Sequence, residues 1–183
     1  GDYFTTLAIQ VMVVTVLAGT AADVGLVSGA RWLPYMLFGL VAGAMIDRLR
    51  RRPVMIAADL IRAVLLVIVP LLAVTQNLSI WALAGFMSLF GLVSLFGDAA
   101  TQAFTPRLVP QPLLTQAHAR VDQSSAVAQT SGPALAGILV SLIGASWTVI
   151  VDAATYLFSA IMLFTISLDE PKPTPIKSRS ICR

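Results

Sequence analysis

Residues 47–74 read DRLRRRPVMIAADLIRAVLLVIVPLLAV: a basic cluster of Arg48, Arg50, Arg51 and Arg52, then 21 mostly apolar residues from Val54 to Val74. An α-helix needs roughly 20 apolar residues to cross a bilayer core about 30 Å thick. Lysine and arginine collect on the cytoplasmic side of a membrane, so the stretch predicts both a span and its inner end. Five further runs qualify, at about 3–18, 24–46, 80–104, 121–143 and 147–168. Backbone groups in lipid must bond within their own segment, which excludes open sheets. A β-barrel would show short alternating segments in place of these long runs. The expected fold is an all-α integral membrane protein with six transmembrane helices.

Composition agrees. The 183 residues are 57% hydrophobic and 11% charged, with a mean hydropathy of +0.86. Soluble domains carry about 25% charged residues, and one core of this length could not hide so much apolar surface. The pI near 9.5 and net charge of +3 would suit nucleic acid, but the basic residues form no stripe. They sit between the apolar runs instead, and no nucleic-acid partner is expected. Arg48, Arg50, Arg51, Arg52, Arg107, Arg120, Lys172, Lys177, Arg179 and Arg183 occupy alternate connections and the tail. The connections 19–22, 75–79 and 144–146 hold no lysine or arginine. Both termini are therefore expected on the cytoplasmic side of a cell membrane. Cys182 and His118 are single, so neither a disulfide framework nor a clustered metal site is expected, and Cys182 is read as a reduced thiol. The opening run lacks the basic start and small-residue cleavage pattern of a secretory signal.

The connection 105–120 is the longest, and Pro106, Pro110 and Pro112 are expected to interrupt any helix there. It divides residues 1–168 into two three-helix units of opposite orientation. The second and fifth spans hold equivalent places, and both combine proline with glycine: Gly29, Pro34 and Gly39 in one, Gly132, Pro133 and Gly137 in the other. Paired interruptions of this kind point to the inverted repeats of transporters. Residues 169–183, with Pro171, Pro173 and Pro175, read as the start of a polar cytoplasmic linker.

The segment Gly39-Leu-Val-Ala-Gly43-Ala-Met-Ile-Asp47-Arg48-Leu-Arg50-Arg51-Arg52 resembles the signature G-x-x-x-D-R-x-G-R-R of the major facilitator superfamily. Gly43, Asp47, Arg48, Arg51 and Arg52 fall on that pattern, while Arg50 stands where the family usually has glycine. An acid at a helix start meets orphan N–H groups and the positive dipole end, and arginines make charge-assisted bonds to neighbouring carboxylates. The resemblance implies a cytoplasmic gate, joined by Asp98. Charge alone would account for a simple topological anchor. Gly132-Pro133-Ala-Leu-Ala-Gly137 is similar to the G-P-x-x-G element of export-type members. Small-residue packing is its plainer reading. Arg31-Trp32-Leu33-Pro34, Asp59-Leu-Ile-Arg62, Pro106-Arg107-Leu-Val-Pro110 and Asp152 are similar to the branch holding the enterobactin exporter and macrolide-efflux-type permeases. The similarity covers residues 1–168. It implies the first half of a twelve-helix transporter, whose missing C-terminal six-helix half follows.

Ionisable residues inside spans are costly and mark function. The resemblance puts the first span beside a central cavity, which makes Asp2 a candidate proton carrier. An interfacial residue at a helix end is the other reading. Arg31 is expected about a turn and a half below the outer end of the second span, where it attracts an anionic substrate, pairs with Asp152 or snorkels to the interface. Asp59 and Arg62, three apart on one helix face, suit a structural pair. Asp23 reads as an exposed loop residue, and His118 as a solvated loop residue. Gly39 and Gly43 are expected to pack within the bundle. Trp32, Trp81 and Trp147 suit an outer aromatic belt.

The implied function is secondary active efflux of a small organic compound, such as a drug or siderophore, driven by a proton gradient with no cofactor. Alternating access in a lipid bilayer is the implied mechanism. The rival class is a membrane scaffold or sensor that keeps the fold. An enzyme is not expected, because no nucleophile–base pair or metal cluster is in view. Reporter tags placed in the Arg50 turn and beside Lys177 should label from the same face of the membrane. Labelling from opposite faces would refute the threading.

Overall fold

The computed structural model describes residues 2–46, 48–75, 78–108 and 111–165. Its regular elements are all helical: α1 (Asp2–Thr15), α2 (Ala21–Ala30), α3 (Leu33–Ile46), α4 (Arg51–Val74), α5 (Ile80–Leu108), α6 (Leu114–Ile143) and α7 (Ala145–Thr165), with a 3-10 turn at Gln111–Leu113. Among the described residues, five helical segments are long and apolar enough to cross a membrane: Ala21–Ile46 taken together, α4, α5, α6 and α7. Helix α1 has 14 residues, about 21 Å at 1.5 Å per residue, and is shorter than the expected 3–18. The chain turns after it, with Ala18 at φ 49° and the Gly19 N–H donating to the Val13 carbonyl at 2.9 Å.

Local chemistry moves several expected boundaries. Thr20 caps α2, and Asp23, expected to be a simple loop residue, closes a capping box by accepting the Thr20 N–H at 2.7 Å. That box satisfies orphan donors of the first turn and starts the second span at Ala21 rather than 24. The same span is interrupted near its middle, where Pro34 has no N–H to give to the Ala30 carbonyl. The Ser88 hydroxyl of α5 donates to that carbonyl at 3.1 Å. The proline lies in the first turn of α3, where a missing donor costs least.

The prolines after 104 do not end α5 at the expected place, since it continues to Leu108 with Pro106 in its last turns. A proline removes one backbone bond there. Helix α6 begins at Leu114, so His118 is helical and not in a loop. None of residues 114–120 is buried, and their polar side chains put the expected start of this span at 121. Hydropathy marks the greasy part of a helix, whereas hydrogen bonding sets its length. The expected tail at 169–183, Cys182 included, lies outside the described residues.

Helix α4 packs extensively on α5 and α7. Helix α1 packs on α6 and α7, and both α2 and α3 pack on α5. Ile9, Met12, Leu66, Leu83, Met87, Phe90 and Val149 form a core no more than 1% exposed. The outside is equally apolar: Met36 is 85% exposed and Leu40 93%. Exposed apolar patches beyond a few hundred Å² mark contact with membrane or protein. The molecule is a multi-pass membrane protein.

Side-chain contacts give the relative direction of α4 and α7. Arg52, in the first turn of α4, reaches the last turn of α7, where its guanidinium donates to the Leu163 and Phe164 carbonyls at 3.0 and 2.8 Å. The arginine thus satisfies carbonyls that a helix C-terminus leaves orphaned and complements its negative dipole end. Asp59 meets Ser159 one step further in, so α4 and α7 are antiparallel.

Gly91 on α5 faces the break in the second span. A Cβ there would lie 2.1 Å from the Arg31 carbonyl oxygen, whereas one at Gly85 would meet nothing within 4 Å. Overpacking costs typically about 1–3 kcal/mol, and the neighbour here is backbone. Gly91→Ala should lower the thermal midpoint of the purified protein by several degrees, and Gly85→Ala should leave it within error. Equal midpoints would show that the break is not held against α5.

Candidate functional site

Three polar groups interrupt the apolar interior, each tying distant helices together. The first joins α1, α2 and α7. Arg31 follows the last residue of α2, ten residues beyond its start at Ala21, or about 15 Å along the axis. This is deeper than the turn and a half expected, because the span starts earlier. Its guanidinium forms a salt bridge with Asp2 and donates to the Thr6 hydroxyl at 2.6 Å. The Tyr156 hydroxyl donates to the other oxygen of the Asp2 carboxylate. Arg31 also lies 5.6 Å from the Phe90 ring centroid, in cation–π range. The carboxylate that meets Arg31 is thus Asp2 and not Asp152.

The second group joins α3, α4, α5 and α7. Arg62 donates to Asp59 at 3.2 Å, to the Ser94 carbonyl at 3.0 Å and to Asp98 at 3.4 Å. Asp59 accepts from Ser159 at 2.6 Å and Asp98 from Tyr35 at 2.8 Å. Asp98 was expected beside arginines 48–52. It meets Arg62 instead, because it lies on the face of α5 that packs against the middle of α4 rather than its first turn. The Asp59–Arg62 pair forms as its spacing predicts. The third group is Asp152, 1% exposed, which accepts from the Thr5 N–H at 3.2 Å, from the Thr5 hydroxyl and from Thr155 at 3.0 Å.

Tyr156 links the first two groups. Its hydroxyl is on Asp2, and the Arg62 guanidinium stands 5.3 Å from its ring centroid. Below it lies a cleft of about 420 Å³ between α4, α5 and α7, lined by Met55, Asp59, Arg62, Thr101, Tyr156 and Ser159 among others.

Of the expected gate residues, Asp98 stands apart with Arg62. Asp47 lies outside the described residues. Arg48 is exposed, Arg51 is 7% exposed and Arg52 holds the end of α7. A Cβ on Gly39, Gly43 or Gly137 would touch nothing within 4 Å. The expected packing of Gly39 and Gly43 within the bundle is therefore not made, and that face is open. Gly132 does pack closely, since a Cβ there would come 3.1 Å from Tyr3. Pro133 is exposed on α6. Trp81 and Trp147 stand 76% and 63% exposed in the first turns of α5 and α7. Trp32 is equally bare but sits at the mid-span break, away from the position expected of a belt residue.

Tyr156, Tyr35, Thr5, Thr6 and Ser159 were not singled out from the sequence. One signal was available: Thr148, Asp152, Tyr156 and Ser159 recur every three or four residues in the otherwise apolar α7, a polar stripe on one helix face. Tyr35 and the two threonines carry no such mark.

The transmembrane secretion effector family profile matches residues 1–179. Macrolide efflux protein A of Streptococcus pyogenes is 29% identical over 124 residues, covering 68% of this chain and 31% of that protein. Its namesake in Enterococcus faecalis is 26% identical over 137 residues, covering 75% and 42%. Multidrug efflux pump Tap of Mycolicibacterium fortuitum is 28% identical over 156 residues, covering 82% and 38%. The chain spans well under half the length of these relatives. No solved structure matches it. These relatives are efflux transporters and not enzymes, and the chain belongs to the transmembrane secretion effector family of the major facilitator superfamily.

Proposed function

We propose that the chain is the N-terminal six-helix half of a proton-coupled exporter of small amphipathic or anionic organic compounds, macrolides being the first class to test. The observation that carries this reading is the Asp2–Arg31 pair, held at mid-depth between α1 and the second span. A guanidinium engaged by a carboxylate is not free for another anion. A proton and a basic or hydrogen-bond-donating group of an amphipathic substrate compete for the Asp2 carboxylate, and either one loosens its hold on Arg31. Proton and substrate thereby exclude one another, which is the logic of antiport.

Two features support the larger architecture. Exchanging α1 with α5, the second span with α6, and α4 with α7 carries each principal helix pairing onto another: α1–α6 onto α5 with the second span, α1–α7 onto α5–α4, and α4–α7 onto itself. Such symmetry is expected of inverted three-helix repeats. The open faces at Gly39, Gly43 and Gly137, with Met36 and Leu40 bare beside them, suit a second six-helix bundle that docks and rocks around the mid-depth pair. The Asp47–Arg52 segment would gate the cytoplasmic end, and the basic connections support a cytoplasmic position for that end and both termini.

In proteoliposomes, the parent protein with both halves should accumulate erythromycin when a pH gradient is imposed. Asp2→Asn should abolish that coupling, and Asp47→Asn should slow flux by an order of magnitude or so, about 1.4 kcal/mol on the barrier. Erythromycin flux unaffected by Asp2→Asn would end the antiport reading. No gradient-driven flux of erythromycin or ethidium by the intact protein would favour a scaffold or sensor. Separately, Arg31→Gln leaves Asp2 without its cation. Breaking a fully buried pair costs about 3–5 kcal/mol, less here because the Asp2 side chain is 33% exposed. Arg31→Gln should lower the thermal midpoint more than Asp2→Asn/Arg31→Gln together, and the reverse order would argue against the pair.

A further inference from the structure

The second polar group is out of charge balance. Arg62 is the guanidinium shared by two carboxylates, Asp59 at 3.2 Å and Asp98 at 3.4 Å, while Asp2 has Arg31 to itself. With all three residues ionised, the triad carries one surplus negative charge inside an apolar bundle, where an uncompensated charge is expensive. One proton removes the surplus. The side chain of Asp98 is 48% exposed and that of Asp59 only 12%, so charge on Asp59 is the costlier of the two.

Asp59 also has a route to protons. The cleft between α4, α5 and α7 runs from Met55 and Leu163, near the ends of α4 and α7, to Asp59 and Arg62. Arg62 is eleven residues from the start of α4, a depth of about 16 Å. Thr101, Thr155 and Ser159 are among its lining residues, and the Ser159 hydroxyl donates to Asp59. A space of about 420 Å³ with polar groups among its lining is roomy enough for a file of water. This cleft is formed by three helices of this chain alone.

We propose that Asp59, at the floor of this cleft, is a second proton-binding site, and that Tyr156 couples it to the Asp2–Arg31 pair. The inference deepens the proton-coupled reading and rests on it for its purpose, though the site itself can be tested without transport. A proton from water in the cleft adds to the Asp59 carboxylate, giving the neutral acid. Arg62 then loses that partner and keeps Asp98 and the Ser94 carbonyl. The guanidinium stands over the Tyr156 ring, and the Tyr156 hydroxyl holds Asp2, so its shift alters the hold on the central pair. The groups facing Asp59 are Arg62 on α4, Asp98 on α5, and Tyr156 and Ser159 on α7. Asp2 on α1 lies beyond the Tyr156 hydroxyl. Asp152 is turned towards Thr5.

The test is a pH-difference infrared spectrum of the parent protein in lipid. A carbonyl stretch of a protonated carboxyl should appear on acidification. Ser159→Ala, which removes a hydrogen bond from that group, should shift it, and Asp59→Asn should remove it. Asp2→Asn should retain it. A band indifferent to both Ser159→Ala and Asp59→Asn, or lost only with Asp2→Asn, overturns the site. For coupling, Tyr156→Phe should keep the infrared band and lose gradient-driven erythromycin accumulation, and undiminished accumulation would refute the link. If the intact protein moves no erythromycin while the band still answers to Asp59, the export reading fails and the proton site stands. If it exports erythromycin while the band ignores Asp59, the site fails and the export reading stands.

Discussion

A guanidinium in the middle of an apolar bundle is tolerable only where a carboxylate neutralises it and oxygen takes up most of its donors. Arg31 and Arg62 impose that condition twice, and much of the bundle's arrangement follows from it. Arg31 needs Asp2 and Thr6, which brings α1 against the end of α2. Arg62 needs Asp59, Asp98 and the Ser94 carbonyl, which fixes the register of α5 along α4. Ser159 and Tyr156 then add α7 to both groups. Lipid supplies no directional force to choose one helix register over another. Polar contacts and close backbone approach make that choice.

The same demand for satisfied backbone explains the second span. Pro34 frees the Ala30 carbonyl, and Ser88 takes it up. The backbone approaches α5 closely enough there that only glycine fits at position 91. A break in a membrane helix persists where a neighbour re-satisfies what it frees. Here the break places the Arg31 side chain against α1 and the carbonyl of the same residue against α5. Ion pairing and helix packing thus share one residue.

Tyr156 gives these local arrangements a common element. It is 7% exposed, with an edge contact to Phe90, the Asp2 carboxylate at its hydroxyl and Arg62 over its face. Buried polar networks are stiff when each member has a partner and sensitive when one is lost. Under the exporter reading proposed above that sensitivity has a use, because transport requires two arrangements of nearly equal energy.

Residue order alone determined that the protein is helical, membrane-embedded and related to major facilitator exporters. It also showed that the basic connections alternate with uncharged ones and that Asp59 pairs with Arg62. These are local properties: hydropathy sums over neighbours, and a spacing of three on a helix needs no knowledge of other helices. Tertiary structure decided which acid meets which distant base. Asp2 with Arg31, Asp2 with Tyr156 and Asp59 with Ser159 are separated by 29, 154 and 100 positions. Asp152 and Asp98 were equally acceptable partners by composition. The choice lies in helix register and rotation, which arise when seven helices pack at once and leave no mark on any single segment.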